Sequence, residues 1–251
     1  MCWSGEASAL MAAVGFCGAA YAAHKKESPL LWGPLVYFSL MELLQAFTYS
    51  IINQCSLPSN QMATLLGYLH ICFQPFFANA VSMYFINQNV RRKIQGWVYC
   101  ACFASAIFTL IQLYPFDWAG TCDPSRPLCG AKLCSVSGNW HIAWEVPMND
   151  IGNFFARTHV PGIRNGFMGY GLAVFLVPML YGSWRFTIYH VLLGPLLAQV
   201  LTPNSNESPA VWCLLSIGLI LIVFNNRVRQ FLFVKKWALW PNKWIAQDKN
   251  A

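Results

Sequence analysis

Seven long apolar runs, with one formal charge among them, constrain this chain more than any other feature. They are Ala7–Ala23, Pro29–Ile52, Met62–Asn87, Gly96–Pro115, Gly166–Ser183, Phe186–Leu201 and Pro209–Asn226. A helix needs about 20 mainly apolar residues to cross the hydrocarbon core. In lipid every backbone amide must be bonded within the chain, so continuous runs of this kind predict helices, and they lack the alternation of a barrel strand. Of 251 residues 57% are apolar and only 10% are charged, too few to cover a water-facing globule of this size. That balance excludes an ordinary soluble enzyme, a disordered protein and, despite a net charge of +7, a nucleic-acid binder. The predicted fold is all-α. It is an integral-membrane bundle of seven transmembrane helices over residues 1–226, with a long Cys-containing outer loop at 116–165 and a basic, aromatic tail at 227–251.

Lysine and arginine set the orientation, because they are retained on the cytoplasmic side. With the N-terminus outside and the C-terminus inside, Lys25, Lys26, Arg91, Arg92, Lys93, Arg185 and the six basic residues of the tail are cytoplasmic. The remaining Arg126, Lys132, Arg157 and Arg164 lie on the long outer loop, where the rule carries less weight. No basic region precedes the first span and Lys25–Lys26 follow it, so it is expected to be a retained anchor rather than a signal peptide. The tail interleaves Arg227, Arg229, Lys235 and Lys236 with Phe231, Phe233, Trp237 and Trp240, the pattern of a segment on the inner leaflet. The expected location is a plasma or inner membrane.

Ionisable residues within a span are costly and mark candidate sites. Glu42, Gln45 and Tyr49 share one face of the second helix, and His70 and Gln74 one face of the third. Glu42 lies roughly 16 Å and His70 roughly 12 Å below the outer ends of their spans, so the two faces are expected to meet at similar depth. Such a pair could hold a divalent transition metal (zinc, iron or copper), relay a proton or activate water. Glu42 and His70 are therefore the candidate catalytic residues, and Gln45, Tyr49 and Gln74 candidate substrate contacts.

The outer loop adds Trp140 and Trp144 as substrate contacts in an apolar lid segment. His141 and Glu145, four residues apart, would share a face if that segment were helical, and join Glu42 and His70 as candidate metal ligands. Cys55, Cys122, Cys129 and Cys134 fall on the outer side, where disulfides persist; Cys122, Cys129 and Cys134 with His141 form an alternative zinc set. Cys2 also falls there, and removal of Met1 would expose its amine and thiol as a ligand or nucleophile. Glu207 appears only inside the sequon Asn206-Glu207-Ser208.

No span contains the lysine that retinal requires, so retinal is excluded as a cofactor. No H-E-x-x-H, Walker or G-x-S-x-G motif occurs. The spans lack the aspartate and the seventh-helix histidine of membrane hydrolases related to alkaline ceramidase, leaving only Glu42 and His70 in common with that chemistry. The segments Met1–Ser4, Met41–Gln45, His70–Phe77 and Cys134–Glu145 together resemble an uncharacterised family of small polytopic membrane proteins of bacteria and large DNA viruses that begin Met-Cys-Trp. That resemblance implies no activity.

The leading expectation is a metal-dependent membrane hydrolase or oxidoreductase acting on a lipid-like or membrane-soluble substrate. The alternatives are a seven-helix receptor or sensor that binds a small ligand without catalysis, and a channel or facilitated transporter. The expected partners are the lipid bilayer and a small or lipid-like ligand, with no nucleic acid; a homo-oligomer is compatible with the sequence.

Overall fold

In the computed structural model, residues 3–151 and 168–245 are described. Cys2, Arg157 and Arg164, and the start of the expected fifth span, lie outside them. The described protein is mostly helical. Helix α1, Gly5–His24, is capped by Ser4, whose hydroxyl accepts from the Ala7 amide. Its buried residues are Ser8, Ala12, Gly15, Ala19 and Ala22. Spacings of four, three, four and three place these small side chains on one seam, and a small-residue seam lets two helix backbones approach closely. The partner is α2, Pro29–Tyr49, whose Ser39 hydroxyl lies where a β-carbon on Gly15 would stand.

Helix α3, Pro58–Tyr84, runs through the middle of the bundle with fifteen buried residues, and α4, Gln88–Leu110, packs beside it and ends in a 3-10 turn at Ile111–Leu113. Two further helices each contain a π turn. In α5, Met168–Gly171 passes through Leu172–Leu176 into Val177–Leu180; in α6, Trp184–Val191 passes through Leu192–Leu196 into Leu197–Leu201. Helix α7 spans Ser208–Ile222, and α8, Asn226–Leu232, leaves it at 104°. A last short turn, α9, is Asn242–Ile245.

By length and composition α1, α2 and Gln88–Leu113 can each cross a membrane. The remaining expected spans differ in instructive ways. The third is a 27-residue helix, but the polar side chains of its buried face dilute its apolar character. The seventh stops at Ile222, four residues early, because the chain turns into α8. The fourth starts at Gln88 rather than Gly96, extending over Arg91, Arg92 and Lys93. All these helices turn large apolar side chains outward, among them Leu10, Leu43, Phe47, Phe103, Leu172, Leu192 and Ile222, while Glu42, Gln45 and Asn79 are buried. That polarity is the reverse of a water-soluble bundle.

One end of the bundle collects Lys25 and Lys26 in the turn after α1, and Arg91, Arg92, Arg185, Arg227 and Arg229 near the starts of α4, α6 and α8. There Arg229 pairs with Glu27 at 3.0 Å. The tail also bonds back to the bundle. Trp240 donates to the Tyr181 carbonyl and Trp237 to the Leu180 carbonyl, so these indoles satisfy the open end of α5, and Val234 bridges back to Ile86.

The opposite end carries an antiparallel hairpin, β1 (Cys134–Ser137) and β2 (Ile142–Glu145), in register Ser137↔Ile142. The all-α expectation is corrected here. Two disulfides sit at this end, Cys55–Cys134 and Cys122–Cys129, drawn from the four expected cysteines. Their formation removes the thiolates of the alternative zinc set. Asn60 on α3 clamps Ser135 through both backbone groups, and Thr64 bonds its hydroxyl. Trp144 lies over Gly67, where a β-carbon would stand 3.3 Å from its ring.

Candidate functional site

The site is built on the α2 face that carries Glu42, Gln45 and Tyr49. Glu42 is 0% and Gln45 1% exposed. Neither carboxylate oxygen of Glu42 and neither polar atom of the Gln45 amide has a hydrogen-bond partner among the described residues. Buried polar groups are nearly always paired, so four such atoms within one turn of helix form an exceptional arrangement. Opposite them stands Ser8 of α1, which approaches the Glu42 carboxyl without completing a hydrogen bond and accepts one from the Trp3 indole at 2.8 Å. Cys213 of α7 is within electrostatic range of Glu42. No cation pairs with Glu42 among the described residues.

His141, fully buried at the head of β2, closes the hairpin end of this face. Its Nδ1 lies 2.8 Å from the Tyr49 hydroxyl, while its Nε2 is buried without a partner among the described residues. The ring stacks near Tyr49 and tilts against Trp3, with centroids 5.8 Å away in each case. Burial pushes the imidazole down from 6.5 to about 3, so it is neutral at neutral pH. If Tyr49 donates to Nδ1, the orphan Nε2 is a donor; if Tyr49 accepts, it is an acceptor. Trp140 packs its indole on Trp3 at 5.3 Å and accepts the Trp3 amide at 3.0 Å.

Glu207 holds this lid, a role that sequence reasoning missed. Its buried carboxylate accepts from the backbone amides of Asn139, Trp140 and His141 and from the Thr202 hydroxyl. Gly138 is required beside it, because a β-carbon there would stand 2.6 Å from the Glu207 carboxyl carbon. The available signal was an isolated acid, in a chain with only nine, placed just ahead of a helix.

His70 does not join Glu42. Tyr37 and Met41 supply the α2 surface that meets α3, and Glu42, one residue past Met41, is rotated about 100° away from it. The His70 ring instead stacks on Tyr37 at 3.8 Å, with Phe77 stacked on Tyr37 at 3.7 Å, and the Tyr37 hydroxyl donates to the His70 carbonyl. Its surroundings are an open apolar groove of about 530 Å³ with Leu66, Phe73 and Phe76. Gln74, on the same helix, lines a different cavity beside Tyr170 and Trp212. Trp144 packs the hairpin onto α3 rather than facing Glu42. Glu145 is half-buried beside Gly130, and the extended strand sets it roughly 13 Å along the chain from His141, where a helix would have brought the two together. The expected four-ligand metal set is therefore dispersed. Among the described residues no three His, Cys, Asp or Glu side chains come close enough to hold a metal ion.

A model built for one protein family aligns with residues 6–233, most of the chain. The chain belongs to the family of unknown function DUF5765. The match takes in Ser8, Glu42, Gln45, Tyr49, His141 and Glu207, and leaves out Trp3. No curated protein and no solved structure matches the chain. Chemically, the site offers this DUF5765 member a carboxylate, an amide, an imidazole and a phenol beneath a hairpin fastened by Glu207. A guest with several hydrogen-bond donors would complete it.

Proposed function

We propose that this protein is a seven-span membrane protein, N-terminus outside and C-terminus cytoplasmic, that binds a small donor-bearing cation at Glu42 and acts as a receptor or sensor. Collection of the basic residues at one end and of both disulfides at the other supports the orientation. The strip Leu172–Leu176–Met179–Leu180 on α5 and the strip Ile188–Leu192–Leu196–Val200 on α6 supports counting both as lipid-facing spans.

One observation carries the function: Glu42 and Gln45 are fully buried with all four side-chain polar atoms unpartnered among the described residues. A protonated primary amine would neutralise the carboxylate and donate to it and to the Gln45 carbonyl. Binding fits this site better than catalysis, because Glu42 and His70 occupy different faces and different surroundings.

The test uses the full chain in detergent, wild type beside Glu42→Gln, with thermal unfolding followed against methylammonium, ethanolamine, sodium and tetramethylammonium. A primary amine at a hundred times its Kd should stabilise the wild type by about 2.7 kcal/mol, roughly 5–10 °C. Tetramethylammonium, which has no donor, should not. If no primary amine separates wild type from Glu42→Gln, the proposal fails.

A further inference from the structure

A second cavity, of about 650 Å³, opens between α3, α5, α6 and α7 at the hairpin end, a size suited to one small ligand. Ser125, Asn204 and Ser205, lining residues that are exposed or half-buried, give it a polar, uncharged mouth. It descends along α6 to Pro195, about 10 Å below Thr202. The inner wall is Ile71, Tyr170, Phe175 and Trp212, with the last two rings stacked at 5.7 Å. None of the described side chains lining it is charged.

Three independent features point to an occupant. Gln74 is 2% exposed, and its Nε2 donor has no partner among the described residues. Both π turns border the space, through Leu172 and Phe175 on α5 and Pro195 on α6, and such turns recur at functional sites because they widen a helix where a ligand must be admitted. Leu172 lines the cavity yet is 45% exposed, so the space also opens sideways. The His190 ring is not part of the recognition, since its Nε2 already accepts from Trp212.

The geometry points to a binding site for an uncharged amphiphile, with a carbonyl or hydroxyl oxygen in its head group and an apolar tail that leaves past Leu172. A charged head group would find no counter-ion among the described residues of the cavity, and an alkane would leave the Gln74 donor unsatisfied. The aromatic wall accepts a flat ring, and the polar mouth accepts hydroxyls, so a quinone and a monoacylglycerol share the chemistry required. The site rests on α5 and α6 being lipid-facing but not on Glu42.

Equilibrium binding to the full chain in phosphatidylcholine nanodiscs tests it, with labelled 1-oleoylglycerol and a decyl-tailed benzoquinone as probes and labelled oleate and hexadecane as controls. At least one neutral probe should bind saturably, and which one does so identifies the head group. Gln74→Leu should weaken it about tenfold, the worth of one neutral hydrogen bond. Gly171→Phe should abolish it: Gly171 borders the cavity and a β-carbon there meets nothing within 4 Å, so the added ring fills the space rather than the packing. Glu42→Gln should leave it unchanged, which separates this site from the amine site. Absence of saturable binding, equal binding of oleate or hexadecane, or wild-type affinity in either cavity variant would overturn the assignment.

Discussion

Removing the Glu207 carboxylate is the most direct way to ask what holds the hairpin over the site. Its two oxygens accept four hydrogen bonds, from the amides of Asn139, Trp140 and His141 and from the Thr202 hydroxyl. The four losses are not equal. Asn139 is exposed and Trp140 half-buried, so in Glu207→Ala water can replace the carboxylate at those amides. The His141 amide and the Thr202 hydroxyl are buried and would be stranded. Two stranded donors at about 1–3 kcal/mol each place the loss near 3 kcal/mol. Glu207→Gln keeps one acceptor but turns an amide NH₂ toward another donor, and should cost about 2 kcal/mol. The loss falls first on the hairpin, so amide hydrogen exchange followed by mass spectrometry across residues 134–145 is the assay. A loss near 3 kcal/mol speeds exchange there by roughly a hundredfold. Exchange in Glu207→Ala within about threefold of wild type would refute the latch.

The remaining predictions concern the site's proton balance and the seam beneath it. Burial holds the His141 imidazole at about 3 against an ordinary 6.5, so between those values the unfolded chain binds a proton that the folded one does not. Its contribution to stability is complete above about pH 6.5 and is lost as the pH falls toward 3; at about pH 5 the loss is roughly 2 kcal/mol. Denaturant unfolding at about pH 7.5 and pH 5 should show a smaller acid loss in His141→Phe than in wild type, and equal losses would contradict the assignment. On the seam, Gly15→Ala forces a β-carbon to within 2.0 Å of the Ser39 hydroxyl and should cost about 1–3 kcal/mol. Gly33→Ala on α2 meets nothing within 4 Å and should be neutral or stabilise by up to about 1 kcal/mol, by thermal unfolding of the two side by side.

Much of the helical framework was legible because apolar runs and capping residues act locally. Ser4 and Ser28 cap α1 and α2 close to where the hydropathy changes, whereas Asn87 caps α4 well ahead of the apolar run that begins at Gly96. Cys55, Cys122, Cys129 and Cys134 were legible as disulfide formers because they fall outside the apolar runs, although their pairing was not. The hairpin was missed because Ser137–Glu145 mixes aromatic and polar residues without a clear period, and a β-ladder depends on the partner strand as much as on its own residues. Trp237 and Trp240 of the tail complete the carbonyl end of α5, a pairing that the preference of indoles for headgroups does not reveal.

By itself the sequence determined that the chain is dominated by apolar helices, which side chains are costly inside them, and that Glu42, Gln45 and Tyr49 share a face. Those are consequences of composition and of helical periodicity, and they need no knowledge of neighbours. Only the tertiary structure decided what each face meets. The small-residue seam of α1 and the packing of α7 draw Glu42 toward Ser8 and Cys213, while Tyr37 and Met41 face α3 and leave His70 in a separate apolar groove. One residue along a helix is about 100° around it, so depth in the membrane can be read from position, but the angle at which two helices meet is set by every contact along their length.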